Sequence, residues 1–397
     1  MIWEKLEKRT LGEPDRVLAA SVVALVGFGV VMVYSASAVF AAKEFGSSTY
    51  FLARQAAFAV LGIAAMAVSS QIDYRIYKRL TYPLLILAAL GLLVCATSLG
   101  TKVGGASRWI RVGPVGIQPS EISKLAVILY LSYSLSKKAE KIKTFAVGFL
   151  PHVVVSALFM GLLLLQPDFG TAVVIGLCTF TLLFVAGTRM GYLVGAVLLV
   201  APLAYRAVVG SAYRMRRIMA FLDPWQYRSN VGYQISESLM SFGSGGLWGV
   251  GLGDGKQKLF FLPEAHNDFI SAIIGEELGF VGIVGMLLVY SLVVWRGFQI
   301  AWHAADAYGT YIAFGVSSLL GMQVLVNLGV AMGALPTKGL TLPFVSYGGS
   351  SLVLMLWAIG ILINISRSRR TAPTFGWSLG DGPTRSAFGA QQQGELA

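Results

Sequence analysis

Apolar runs of nearly bilayer-spanning length recur about ten times in this chain of 397 residues, and that constrains its fold more than any other feature. They fall at 17–39, 50–68, 80–99, 122–135, 145–165, 171–186, 192–209, 269–295, 310–332 and 352–365. A helix needs about 20 mostly apolar residues to cross the hydrocarbon of a bilayer. Backbone polar groups must be satisfied internally there, so runs of this length read as helices. The charged fraction of 13% is about half the usual value for soluble domains, too little to coat a soluble core with this many apolar stripes. The expected fold is an all-α integral membrane protein with about ten transmembrane helices.

Basic residues set the orientation. Lys5, Lys8, Arg9 and Arg16 precede the first run, which is too long for a cleavable signal and reads as a retained span. Arg75, Lys78 and Arg79, then Lys137, Lys138, Lys141 and Lys143, then Arg367, Arg369 and Arg370 all fall on one side of a ten-span chain. By the positive-inside rule that side is cytoplasmic and holds both ends. The expected organisation is a cytoplasmic N-terminus (1–16), a membrane domain (17–366) and a disordered cytoplasmic tail (367–397) rich in Gly, Pro, Ser and Gln. A long extracytoplasmic loop, about 210–268, separates spans seven and eight. The net charge of +12 is explained by these flanks. No basic helix or aromatic-interleaved patch stands apart from the spans, so nucleic acid is not an expected partner. Cys95 and Cys178 lie inside apolar runs, and His152, His266 and His303 lack zinc spacing, so no built-in transition-metal site is expected.

The outer side breaks the charge rule with Arg108, Arg111, Arg214, Arg216, Arg217, Arg228, Lys256 and Lys258. An anionic ligand on that face is one reason for such an excess. Glu121 and Lys124 share a helix face at i, i+3, and read either as an interfacial pair or as a pair facing a ligand. Asp168, in Gln166-Pro-Asp, reads as the cap of the next helix or as a site residue. If the chain turns helical after Pro263, Glu264 and Asp268 lie on one face and His266 points elsewhere. Two close acids raise at least one pKa, and such a carboxylate can take a proton from a hydroxyl; alternatively both acids cap the following span. The glycine-rich run 243–255 follows no strand of a βαβ unit, so it reads as flexible backbone lining a cavity and not as a nucleotide loop. Lys338, between Thr337 and Gly339, reads as a phosphate contact or as a lysine at a helix mouth.

In their order along the chain these motifs resemble those of the SEDS family of bacterial peptidoglycan glycosyltransferases, over roughly residues 17–366. They are Tyr34-Ser-Ala-Ser37, Gly105-Ala-Ser-Arg-Trp-Ile110, Gln118-Pro-Ser-Glu-Ile-Ser-Lys124, Gln166-Pro-Asp-Phe-Gly-Thr171 and Tyr233-Gln-Ile235. They continue with Leu262-Pro-Glu-Ala-His-Asn-Asp-Phe-Ile270, Gly275-Glu-Glu-Leu-Gly279, Thr337-Lys-Gly-Leu-Thr-Leu-Pro343 and Ser346-Tyr-Gly-Gly-Ser-Ser351. Ala265 between Glu264 and His266, with the Lys338 motif, points to the division branch and not the elongation branch; Asn267 stands where Thr is commoner.

The resemblance implies polymerisation of lipid II into glycan strands on the outer face, with release of undecaprenyl diphosphate. It makes Asp268 the catalytic aspartate and Arg108, Lys124 and Lys338 functional charges; the outer-face Arg217 is a further candidate contact for the diphosphate. Glu121, Asp168, Glu264 and His266 are supporting polar groups. A divalent cation, Mg or Mn, is compatible with the diphosphate. The implied partners are a class B penicillin-binding transpeptidase, other divisome proteins and membrane lipid, at the septum of the bacterial inner membrane. Two other classes fit ten spans with intramembrane charges: a lipid II flippase and a non-catalytic divisome scaffold.

Overall fold

The computed structural model describes residues 12–97, 100–103, 106–113, 115–337 and 339–368. Lys5, Lys8, Arg9, Arg369, Arg370 and the tail 371–397 lie outside the described residues. The ten apolar runs correspond to ten helices. These are α1 (Arg16–Phe45), α2 (Tyr50–Gln71), α3 (Tyr77–Ala96), α4 (Pro119–Lys137), α5 (Leu150–Leu165), α6 (Phe169–Val185) and α7 (Met190–Val209). After two helices of the long connecting segment, α8 (Ala212–Leu222) and α9 (Tyr233–Gly245), come α10 (Ile270–Trp302), α11 (Ala307–Ala331) and α12 (Gly349–Arg367). The chain is a multi-pass membrane protein.

Seven helical stretches are long and apolar enough to cross a bilayer on their own, and α6 and the first part of α7 are shorter apolar helices. The exception is α4, which carries Glu121, Ser123, Lys124, Ser132 and Ser134, all buried. It packs among α3, α6 and α11, so its polar face meets protein and not lipid. Elsewhere small residues allow close approach: α2 packs extensively on α12, where a side chain at Gly360 would collide with Ser69 and the Met66 backbone.

The two ends of the described chain meet. Gly12 N donates to Arg367 O at 2.9 Å and Asp15 N to Ser366 Oγ at 3.1 Å, while Asp15 caps α1 through Leu18 N at 2.9 Å. On the opposite side, three short strands, β1 (Thr101–Val103), β2 (Ala106–Val112) and β3 (Val115–Ile117), form an antiparallel sheet in the order β1-β2-β3. The sequence reading places only loops there. Ladder hydrogen bonds supply this exposed backbone with partners that neighbouring helices do not reach.

The glycine-rich run packs its backbone against α10. At Gly279 α10 breaks, with φ 64°. The groups freed by the break are taken up by the run: Val250 N and Gly251 N donate to Glu276 O and Glu277 O at 3.0 and 3.1 Å. Phe280 N and Val281 N donate to Gly246 O and Leu247 O at 2.9 and 3.1 Å. Side chains at Gly245 or Gly249 would strike the α10 backbone. The turn after α9 thus lies beside α10 about 15 Å below its start, at 1.5 Å per residue, with Leu247 and Trp248 exposed.

Candidate functional site

Five chain segments converge on the face opposite the termini. β2 presents Arg108, whose Nη2 donates to Pro167 O at 2.6 Å and whose Nε donates to Gln166 O at 3.4 Å. This joins the sheet to the turn before α6, where Asp168 accepts from Thr171 N at 3.3 Å and Thr171 Oγ1 at 2.9 Å. Asp168 is therefore the helix cap. α8 contributes Arg217, whose Nη1 donates to Thr337 O at 3.0 Å. The loop between α11 and α12 brings Gly339 against Asp268: a Cβ added there would lie 2.9 Å from Asp268 Oδ2 and 4.0 Å from Arg108 Nη1.

Asp268 stands in the turn that leads into α10, half-buried beside exposed Gly339. Burial, and then the charges of Glu264 and Asp168, push its carboxyl up, against the pull of Arg108 and Arg217, to about 7. Among the described residues no donor is hydrogen-bonded to its carboxylate oxygens. A carboxylate so placed exchanges protons near neutrality and is reachable from outside.

The helix expected after Pro263 does not form. Residues 256–269 run as irregular turns, with Glu264 at φ 56°, and α10 starts only at Ile270. Glu264 still acts on Asp268 by charge, while its own carboxylate accepts from Asn267 Nδ2. His266 is packed among Phe40, Phe51 and Tyr347, with ring centroids 5.8, 4.5 and 5.8 Å away. Burial lowers its pKa, and its carbonyl accepts from Tyr347 N at 3.0 Å, so it fastens the two outer loops together.

The Glu121–Lys124 pair closes within α4. Lys124 Nζ is 2.8 Å from Glu121 Oε1, both are buried, and neither is among the groups that set the Asp268 titration. Lys338 lies outside the described residues. No group of three or more His, Cys, Asp and Glu able to hold a metal occurs among the described residues.

One residue of the site was missed in the sequence. Asn327, within the span α11, donates through Nδ2 to Asp268 O at 2.9 Å and to Leu340 O at 2.7 Å; its Oδ1 accepts from Ser271 Oγ at 3.1 Å. It holds the Asp268 turn to the loop carrying Gly339. An amide inside an otherwise apolar span was the available signal.

Comparison with known proteins places this geometry. A family model described as "Cell cycle protein" (FtsW/RodA/SpoVE) matches residues 16–371. The chain belongs to that family. It is 48% identical over 370 residues to the "Probable peptidoglycan glycosyltransferase FtsW" of Geobacter metallireducens, covering 93% of this chain and 99% of the relative. It is 42% identical over 360 residues to the stage V sporulation protein E of Bacillus subtilis, covering 90% and 98%. Among solved structures, a chain from work described as "Structural coordination of polymerization and crosslinking by a peptidoglycan synthase complex" matches with a TM-score of 0.77 and 31% identity, covering 90% of this chain and 99% of that one. The rod shape determining protein RodA of Thermus thermophilus matches with a TM-score of 0.67 and 29% identity, covering 90% and 98%. The SEDS resemblance of the motifs is thereby borne out.

Proposed function

We propose that this protein is a peptidoglycan glycosyltransferase that joins lipid II units into glycan strands on the outer face of the bacterial inner membrane. The observation that carries the reading is Asp268, a carboxyl raised to about 7 between two guanidinium groups on the face opposite the chain ends. Near neutrality Asp268 takes the proton from the acceptor sugar hydroxyl, a contribution of roughly 10²–10⁴-fold. The hydroxyl oxygen attacks C1 of the donor sugar, the bond from C1 to the lipid diphosphate breaks, and the diphosphate leaves with the electron pair. Attack from the opposite face inverts the anomeric centre, as in the base-assisted step of inverting glycosidases. Arg108 and Arg217 face the developing charge, and Lys338 belongs to the same loop as Gly339. Lys124 is buried and paired with Glu121 on the same helix, α4.

The names of the relatives support the chemistry and a septal role. The similarity to a chain of a synthase complex that couples polymerisation to crosslinking supports a transpeptidase partner of the class B penicillin-binding type, working with other divisome proteins. Purified protein given lipid II, with and without that partner, should yield glycan strands on a gel, and Asp268→Asn should yield none while still binding lipid II. Lipid II redistributed between leaflets without strand formation would instead make the protein a flippase, and an inert protein in the presence of its partner would make it a scaffold.

A further inference from the structure

The far end of α4 carries a second constellation that the transferase chemistry does not use. A cavity of about 530 Å³ opens there, lined among others by Tyr82, Tyr133, Lys137, Lys138, Glu140 and Lys141. That volume is within the range of about 300–1,000 Å³ of small-molecule sites. Three ammonium groups share this concavity with one carboxylate. None of the three lysines takes part in an ion pair among the described residues. Lys137 Nζ lies 5.8 Å from the centre of the Tyr133 ring, which stands edge-on to Tyr82 at 5.9 Å. The carbonyls at the end of α4 and the exposed Glu140 are the negative groups facing the lysines; His152, buried behind them, adds no anion.

Position narrows the ligand. The 19 residues of α4 begin beside the outer sheet, and at 1.5 Å per residue they rise about 28 Å, close to the hydrocarbon thickness of a bilayer. The lysines therefore sit where lipid phosphates lie at the opposite interface. Next to the cavity the protein turns an apolar wall outward: Tyr82, Ile86 and Leu87 on α3, and Phe145, Val147 and Leu150 at the start of the fifth span, are exposed. Orientation alone requires lysines near span ends; it does not require three of them to face one cavity, and Lys143 of the same loop is not in its lining.

We propose that this cavity binds the phosphodiester headgroup of an anionic phospholipid of the leaflet opposite Asp268. The lysines hold the phosphate and the acyl chains lie on the apolar wall. A soluble phosphate compound would share the headgroup chemistry but not the wall.

The full-length protein in detergent micelles, titrated with phosphatidylglycerol and followed by native mass spectrometry, tests this directly. Retention of phosphatidylglycerol should exceed that of phosphatidylcholine, and should fall at least about tenfold when Lys137, Lys138 and Lys141 are all changed to Gln. Lys143→Gln should leave it unchanged. Glu140→Gln, which removes the one carboxylate and threatens no packing, should raise it, so the proposal stays testable should the triple variant fail to fold. Equal retention in the wild type, the triple variant and Glu140→Gln would overturn the proposal. Displacement of the lipid by inorganic phosphate at equal concentration would also overturn it, and would assign the cavity to a soluble phosphate compound.

Discussion

Two acidic neighbourhoods at the head of α10 answer the same problem, a carboxylate close to the bilayer, in opposite ways. Within the helix, Glu277 accepts from Lys258 Nζ at 2.6 Å, from Ser35 Oγ at 2.8 and 2.7 Å, and from Gly253 N at 3.0 Å. Its neighbour Glu276 accepts from Lys256 N at 2.8 Å and Gln257 N at 3.3 Å. Every oxygen there is engaged, and the pair ties the glycine-rich run to the broken helix. Just before the helix, Asp268 lies near Arg108 and Arg217, which donate to the carbonyls of Gln166, Pro167 and Thr337. Its oxygens feel charge without being hydrogen-bonded among the described residues. A closed carboxylate is structure; an open one can accept a proton.

The comparison breaks first at the open site. Asp268→Asn keeps the size and removes the base, so strand formation should fall by at least roughly 10²–10⁴-fold, leaving no strands visible on a gel, with normal folding. The closed site should behave in reverse. Lys258→Met leaves Glu277 buried without its cation, which costs about 3–5 kcal/mol; thermal unfolding in detergent should show a large drop in Tm. A small drop would mean that the glycine-rich run is held by its backbone bonds alone.

Asn327→Ala tests whether the open carboxylate depends on its backbone latch. It strips partners from the carbonyls of Asp268 and Leu340, at about 1–3 kcal/mol for each buried group left unpaired. Turnover should fall about tenfold or more, with the binding of lipid II less affected. Asn327→Gln, which keeps the amide, should recover part of the loss, whereas equal damage from both would mean that only packing matters there.

The smallest effects concern titration. The base works ionised, so the rate should rise with pH through about 7. Arg108→Gln removes a cation that favours the ionised form and should move that midpoint up. Glu264→Gln removes an anion that opposes it and should move the midpoint down. Initial rates across pH for the two variants check both signs.

Much of this was legible in the chain, for physical reasons that also mark where legibility stopped. Span length is local, so the helices were readable from apolar runs; even α4, short on hydropathy, announced by its Glu121–Lys124 spacing that its polar face needed a partner. Asp268, Arg108, Arg217 and Asp168 were named from charge on the outer face, and the fold brings all four together. The i, i+3 spacing of Glu121 and Lys124 could not say which way that face points, and the bundle turns it inward. The Pro263 helix failed because His266 is claimed by Phe40, Phe51 and Tyr347, contacts distant in sequence. The glycines of 243–255 signalled close backbone approach, but their partner, the break at Gly279, is set by tertiary pairing.

The most direct test is the initial rate of glycan-strand formation from purified lipid II as a function of pH, measured for the protein with its transpeptidase partner and for Asp268→Asn. The account predicts a limb rising through about 7 in the native protein and no strands from the variant at any pH. Strand formation by the variant, with the same limb, would contradict it.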